Sequence, residues 1–323
     1  MIKTLRIGML TALALVASSL AIAQTEQGIV VLTGLPATYS MTFALASGTH
    51  IKVVNVPVDG RPMNAQARFF ERPPKETVDL LRRADAVVSI GKLWREDPLF
   101  AAARAQNIRV VGIDATEPYS ATMPGVALVR EPDDRAPWAK DGAAGTADTR
   151  ASPLFWTGPS NAARSAEIVA GDLSRLSPKD ADRIAQNLAA YRRMLFDLKQ
   201  SYEARLAELD NLSVFALTRD FVYLTTDLGL LVDGYFVRQD IEWTAADLEA
   251  FRSYLVKRGI RVVIHKWEPA EPIRQAIKAA GATLVVLRSA ETFSTQAPQP
   301  SREESYLSDL ESDLSALYSA LKR

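Results

Sequence analysis

The sequence predicts an exported α/β protein with two Rossmann-like lobes, each built on a four-stranded parallel sheet, joined by one long helix. Two series of short Val- and Ile-rich runs alternate with helical stretches. Buried parallel strands have this nearly continuous apolar character, so each series indicates one parallel sheet. A stretch of about 30 residues without Gly or Pro separates the series. The length of 323 residues is sufficient for two domains of ordinary size.

The first 23 residues have the pattern of a signal peptide. Lys3 and Arg6 precede the apolar run 7–22, which ends in the small-x-small sequence Ala21-Ile22-Ala23. A membrane anchor is the alternative, but this run is shorter than the roughly 20 residues that a span needs. We therefore expect cleavage after residue 23, a mature chain that begins at Gln24, and a periplasmic protein.

The N-terminal lobe is predicted to cover residues 24–176. Its strands are expected over residues 28–33, 50–57, 84–90 and 108–113, and its helices over 75–83 and 98–106. The segment 114–153 is rich in Ala, Gly, Asp, Arg and Pro, which indicates a long surface loop with a strand-like piece at 125–130.

A bridging helix over residues 177–210 is predicted to connect the lobes. It begins with the capping sequence Ser177-Pro178, and its apolar side chains recur at helical spacing. A coiled-coil segment is the alternative, although the apolar pattern is not a strict heptad.

The C-terminal lobe is predicted over residues 211–323. Strands are expected at 213–217, 231–237, 260–265 and 283–287, with helices at 244–258 and 271–280. A polar linker at 292–301 then leads to a closing amphipathic helix. That helix is expected to pack on a lobe, and a partner-binding helix is the alternative.

The composition argues against several classes of function. Lys plus Arg and Asp plus Glu both number 38, so no basic surplus favours nucleic acid as a partner. The absence of Cys removes disulfides and thiolate metal centres, and the two histidines, His50 and His265, cannot form a multi-histidine zinc site. No G-x-S-x-G, H-E-x-x-H or phosphate-loop motif occurs, so we do not expect an enzyme.

Several motifs resemble those of the zinc- and manganese-binding solute receptors of bacterial ABC importers. Residues 84–91 are similar to the family's ADLVVYNG strand, 156–162 to its WLDPxNA helix start, 221–230 to its FxYFAKRYGL segment and 268–272 to its EPQFSP strand exit. The resemblance extends in order over the mature chain. It implies a non-catalytic, monomeric receptor that binds a small solute between its lobes and delivers it to an inner-membrane ABC permease.

The residues at the family's metal-ligand positions differ here. The resemblance places these positions at Arg68 or Phe69, Leu154, Thr218 and Arg288. None is a competent zinc ligand, because zinc takes imidazole nitrogen, thiolate or carboxylate. Arg288 would also put a fixed positive charge where the family has a carboxylate. We therefore expect no metal in the family's geometry and no resident cofactor, and a divalent metal remains open as a transported solute.

Two hypotheses for the solute follow, and the sequence leaves both open. In the first, arginines and aromatic side chains of the inter-lobe cleft hold an organic anion or a metal chelate. The candidate residues are Arg68, Phe69, Glu71, Trp156, Thr218, Arg219, Asp220 and Arg288, with Phe70, Arg72 and Trp267 nearby. Of these, Arg288 is the preferred anion-binding residue.

In the second hypothesis, a rearranged site binds a metal ion. Its candidate ligands are Glu71, Asp220, Glu268 and His265. The structural alternative to both hypotheses is that the arginines pair with Glu71, Asp220 or Glu268, that the aromatic residues are core, and that each histidine is structural or solvated. An interaction protein without a transport role is a less favoured alternative for the whole chain.

Overall fold

The structure is a computed structural model that describes residues 28–120, 122–133, 135–138, 150–293 and 305–323. The predicted signal peptide, its cleavage site and the mature N-terminus lie outside these residues, as does most of the predicted linker. No helix in the described ranges has both the length and the apolar character of a membrane span.

Eight strands in the described residues form two parallel sheets, which confirms the predicted fold class. The strands are β1 (Ile29–Thr33), β2 (Ile51–Asn55), β3 (Ala86–Ser89), β4 (Val111–Asp114), β5 (Ser213–Ala216), β6 (Leu231–Tyr235), β7 (Val262–His265) and β8 (Thr283–Val286). Their order is β2-β1-β3-β4 in the N-terminal sheet and β6-β5-β7-β8 in the C-terminal sheet. In each sheet the second strand lies on one side of the first strand and the third strand on the other. The strand order therefore reverses between β1 and β3 and between β5 and β7, which creates a topological switch point in each sheet.

The helices of the described residues cover both sheets and join them. They are α1 (Pro36–Ala46), α2 (Met63–Glu71), α3 (Lys75–Arg83), α4 (Pro98–Gln106), α5 (Pro159–Leu176), α6 (Ala181–Leu206), α7 (Val222–Asp227), α8 (Ala245–Arg258), α9 (Glu271–Ala279) and α10 (Ser305–Leu321). Of the predicted strand-like piece at 125–130, only Arg130 forms a bridge, with Ala151.

The segment predicted to bridge the lobes contains α6. Residues Pro178–Asp180 form a short 3-10 turn, and the 26 residues of α6 follow it. Asp180 fixes this start: it accepts a hydrogen bond of 2.6 Å from the Ser177 hydroxyl and lies 2.9 Å from Nδ1 of His50. His50 therefore ties the start of β2 to the start of the long helix, which is a structural role.

One hydrophobic core is continuous through both lobes. It includes Val31 and Val88 of the first sheet, Val214 and Val262 of the second, and Tyr191 of α6. The closing helix α10 packs on β8 as expected and also on α1 and α6, so it contacts the first lobe as well. The two sheets are therefore held by shared packing as well as by the bridging helix.

Candidate functional site

A cavity of about 420 Å³ lies between the two lobes. Its C-terminal-lobe wall is formed where β5 and β7 end, by Thr218, Arg219 and Asp220 and by Lys266 and Trp267. This is the switch point of the second sheet, where open α/β sheets bind their ligands. The remaining lining residues are Met63, Asn64, Glu131, Ser152, Pro153, Leu154, Leu217, Val237 and Glu291.

The C-terminal-lobe wall contains a hydrogen-bonded carboxylate and its cation. The Thr218 hydroxyl donates a 2.6 Å hydrogen bond to Oδ1 of Asp220, and the Asp220 amide donates back to that hydroxyl at 3.3 Å. The Lys266 ammonium lies 2.8 Å from the other carboxylate oxygen of Asp220. Thr218 thus orients Asp220 within the wall.

A second ion pair joins the two lobes. Nη1 of Arg219 lies 2.9 Å from Oε2 of Glu131, which belongs to the segment between β4 and α5. Both side chains are partly buried, so water screens their attraction less than it would on the open surface. The pair places one positive and one negative group together at the wall of the cavity.

Glu291 supplies a third carboxyl group. Its Oε1 accepts a 3.3 Å hydrogen bond from the Met63 amide at the start of α2, and its Oε2 accepts a 3.2 Å hydrogen bond from the Ser289 hydroxyl. Burial, and then the nearby Asp220 carboxylate, raises the pKa of Glu291, while Lys266 opposes this rise. Among the described residues, no basic side chain forms an ion pair with Glu291.

His265 ends β7 and directly precedes Lys266 and Trp267, which line the cavity. It is 2% exposed, and its Nδ1 has no hydrogen-bond partner in the described part of the chain. Burial lowers the pKa of this histidine to about 4, so it is neutral at pH 7. Its ring centroid lies 4.2 Å from that of Trp267, whose indole is 42% exposed. His265 is therefore a packed support for Trp267.

Arg288 does not face the cleft, contrary to the expectation from the sequence, and contacts the closing helix α10 instead. Its Nε is 3.1 Å from Asp309 and its Nη2 is 3.2 Å from Asp313, both on α10, and its amide donates a 2.7 Å hydrogen bond to Asp313. The reason is the strand order, since Arg288 follows the edge strand β8 and faces the closing helix.

A second, much smaller cavity lies beside Arg288. Its volume of about 10 Å³ is enough to hold about one water molecule. Trp156 lines it as a buried core residue, with Nε1 donating a 2.7 Å hydrogen bond to the Ser289 carbonyl. Trp156 is thus separated from the large cavity, contrary to the expectation from the sequence.

Stability should depend on pH through Asp313. Burial, together with the nearby carboxyl of Asp309 that shares the same guanidinium, raises the pKa of Asp313 to about 7. The folded state then binds more protons than the unfolded chain between about pH 4 and 7, so the free energy of unfolding falls as pH rises through this window. Denaturant titrations at pH 5, 6 and 7 should show this decrease in the free energy of unfolding, and the decrease should be smaller in Asp313→Asn. If the variant shows the same pH dependence as the wild-type protein, Asp313 is not the group responsible.

The predicted residues on α2 also lie away from the cavity. Arg68, Glu71 and Arg72 are exposed, and Phe69 packs edge-on against Phe70 with ring centroids 5.1 Å apart. Residues at the start of α2 line the cavity instead. The predicted helices did not include α2, whose first turn brings Met63 and Asn64 to the cavity.

The described residues hold no group of three His, Cys, Asp or Glu side chains arranged to bind a metal. Of the proposed rearranged ligands, Asp220 lines the cavity, whereas Glu268 lies 3.3 Å from Arg274 at the surface. The structure brings together Leu154, Thr218, Arg219, Asp220 and Trp267.

Sequence reasoning missed three charged lining residues. Lys266 could have been found, because it directly follows a strand at the switch point. Glu131 and Glu291 lie in irregular segments, where no local pattern marks them.

Known proteins with similar sequences and structures have the architecture described above. The family described as "ZnuA: Zinc-uptake complex component A periplasmic" matches residues 36–320. Among curated relatives, the zinc-binding protein AdcA of Streptococcus pyogenes serotype M1 is 26% identical over 139 residues, which are 42% of this chain and 27% of that protein. The chain thus spans about a quarter of the length of the curated relatives it matches.

Solved structures of similar fold cover nearly all of the described chain. A FpvC mutant from Pseudomonas aeruginosa has a TM-score of 0.71 at 18% identity, covering 91% of this chain and 99% of that one. The Zn(II)-bound ZnuA-like domain of Streptococcus pneumoniae AdcA has a TM-score of 0.68 at 21% identity, with coverage of 91% and 99%. At these identities the likeness shows the fold. Because the family match extends over most of the chain, this protein belongs to the ZnuA family.

Proposed function

We propose that this protein is the extracytoplasmic receptor of an ABC importer, and that it captures a small solute in the cavity between its lobes for delivery to an inner-membrane permease. The position of the cavity supports this role, because side chains of both lobes line it at the carboxyl ends of the strands. A solute that contacts both lobes stabilises their closed arrangement through contacts made only there. The shared core and α6 limit this closure to a small tilt.

We further propose that the solute is an organic molecule or a metal chelate and not a bare zinc ion. The observation that carries this proposal is the pairing inside the cavity. The carboxylates of Asp220 and Glu131 are neutralised by Lys266 and Arg219 at 2.8 Å and 2.9 Å. Leu154 has no atom that can ligate zinc, and the cavity volume of about 420 Å³ lies within the range of small-molecule sites.

A bare metal ion in a rearranged site is the second candidate. Three carboxyl groups, those of Glu131, Asp220 and Glu291, line the same cavity, and carboxylate oxygen is a ligand that hard divalent cations take, but in the described residues the three are not arranged to hold a metal ion. Binding would require Lys266 and Arg219 to leave their partners, so the electrostatic repulsion of these cations opposes it.

The two candidates differ in what the purified protein carries. Native mass spectrometry and elemental analysis should be performed on protein purified from its own periplasm without chelators. We expect an organic mass, with or without a chelated metal, at a stoichiometry near one. Stoichiometric zinc or manganese without an organic mass would establish the second candidate and exclude the first.

Zinc itself should bind weakly. We expect a dissociation constant no tighter than about micromolar, equivalent to about −8 kcal/mol, because the cavity offers carboxylates already paired with cations. Calorimetric titration of the chelator-treated protein with ZnCl₂ measures this value. A one-to-one complex of nanomolar affinity would contradict the proposal and indicate the function named by the family.

Export can be tested on the chain's N-terminus. We expect the periplasmic fraction to contain a monomeric protein that begins at or near Gln24, since residues 1–23 have the pattern of a cleaved leader. Intact mass spectrometry and size-exclusion chromatography measure both properties. Recovery of the chain with Met1 in the membrane fraction would contradict export as a free receptor.

A further inference from the structure

Among the described residues, the charged groups that line the large cavity do not balance. Three carboxyl groups, those of Glu131, Asp220 and Glu291, face two basic groups, those of Arg219 and Lys266. Arg219 pairs with Glu131 and Lys266 with Asp220. Glu291 is left as the acidic group without an ion pair among the described residues.

Glu291 is placed to meet a bound solute. It lines the cavity and connects the lobes, because its carboxyl oxygens accept hydrogen bonds from Met63 on α2 and from Ser289 after β8. Both donors are neutral, so they orient the carboxyl group without cancelling its charge. A carboxylate in this partly buried place gains more from a cationic partner than an exposed one does.

The walls around Glu291 suit an organic group. Met63, Leu154, Val237 and Trp267 give the cavity apolar surface beside its charges. The Lys266 ammonium lies 5.6 Å from the centroid of the Trp267 ring, so this indole already takes part in a cation–π contact.

We propose that the transported solute bears a positively charged ammonium or guanidinium group that pairs with Glu291. This inference rests on the proposed function. A cation beside Glu291 leaves both existing ion pairs intact. An anion that took Arg219 or Lys266 would instead leave Glu131 or Asp220 without its cation, and an unpaired carboxylate in a partly buried site is unfavourable.

The wild-type protein can test the charge of the solute directly. Three probes with the same four-carbon skeleton are 1,4-diaminobutane, 4-aminobutanoate and butanedioate. In thermal-shift assays with each probe at 10 mM and constant ionic strength, we expect both amines to raise Tm and butanedioate to leave it unchanged. A rise with butanedioate alone, or no rise with either amine, would overturn the inference.

The role of Glu291 is tested by a conservative substitution. Glu291→Gln keeps an oxygen that can accept the hydrogen bond from Met63, and it removes the charge. We expect the calorimetric affinity for 1,4-diaminobutane to fall at least tenfold, whereas Glu311→Gln, an exposed change on α10, should leave it unchanged. Equal affinity in both variants, each with an unchanged circular dichroism spectrum, would remove Glu291 from the site.

The failure of this inference differs from the failure of the proposed function. Tight binding of bare zinc at one-to-one stoichiometry would overturn the proposal of an organic solute or metal chelate, on which this inference rests. A co-purified organic anion would be consistent with the receptor function and would overturn only the inference that the solute bears a cationic group.

Discussion

Replacing Arg288 with Ala is expected to lower Tm by about 5–10 °C and to leave solute affinity unchanged. The variant removes the cation that Asp309 and Asp313 share; their side chains are 8% and 5% exposed. Loss of one partner of a buried ion pair costs about 3–5 kcal/mol, and we expect about 2–3 here because the guanidinium is 29% exposed. For a domain of roughly this size, 1 kcal/mol corresponds to about 2–4 °C.

The matched control is Arg252→Ala. Arg252 pairs with Glu249 one turn away on the exposed face of α8, at 2.6 Å. Surface pairs of this kind contribute about 0–1 kcal/mol, so this variant should melt close to the wild-type temperature. Differential scanning calorimetry and a solute titration on both variants decide the role of Arg288. A weakened solute affinity at an unchanged Tm would return Arg288 to the binding site, where the sequence had predicted it.

The second large effect is expected at Lys266. Replacing it with Met should increase zinc affinity at least tenfold, because the substitution leaves Asp220 without its cation and removes the positive charge near Glu291. A unit charge 4 Å from a divalent ion contributes a repulsion of several kcal/mol at an effective dielectric of about 20, and solvent in the cavity reduces it. Tenfold corresponds to about 1.4 kcal/mol, a conservative part of this repulsion.

Two controls separate charge from general effects of mutation. Lys266→Arg keeps the positive charge and should bind zinc as weakly as the wild-type protein. Lys278→Met removes an exposed lysine of α9 that does not line the cavity, and it should also leave zinc binding unchanged. An unchanged zinc affinity in Lys266→Met would show that Lys266 does not determine the exclusion of zinc.

The fold was largely predictable because parallel strands leave a strong local signal. All eight described strands overlap the predicted runs, since buried strands such as Ala86–Ser89 are apolar on both faces. Helix α1 was not predicted. Nearly all of its residues are buried, so it has no polar face and therefore no amphipathic period for a pattern to detect.

The site was predictable only in part, for a different reason. Thr218, Arg219 and Asp220 follow a predicted strand, and the carboxyl end of a central strand is the expected place for ligand contacts. The position of Arg288 depended on two carboxylates that lie 21 and 25 residues further along the chain. No local pattern relates these positions, so the tertiary pairing of Arg288 could not be inferred from spacing.

The core that runs through both sheets has a consequence for how this fold diversifies. Its stability comes from residues such as Val31, Val214 and Tyr191, none of which lines the large cavity. Substitutions among the lining residues therefore change the chemistry of the cavity without loss of the framework. A lining residue outside this core, such as Thr218 at a position where the family resemblance places a metal ligand, is therefore exchanged with the protein still folded, so that the solute changes while the outer shape is kept.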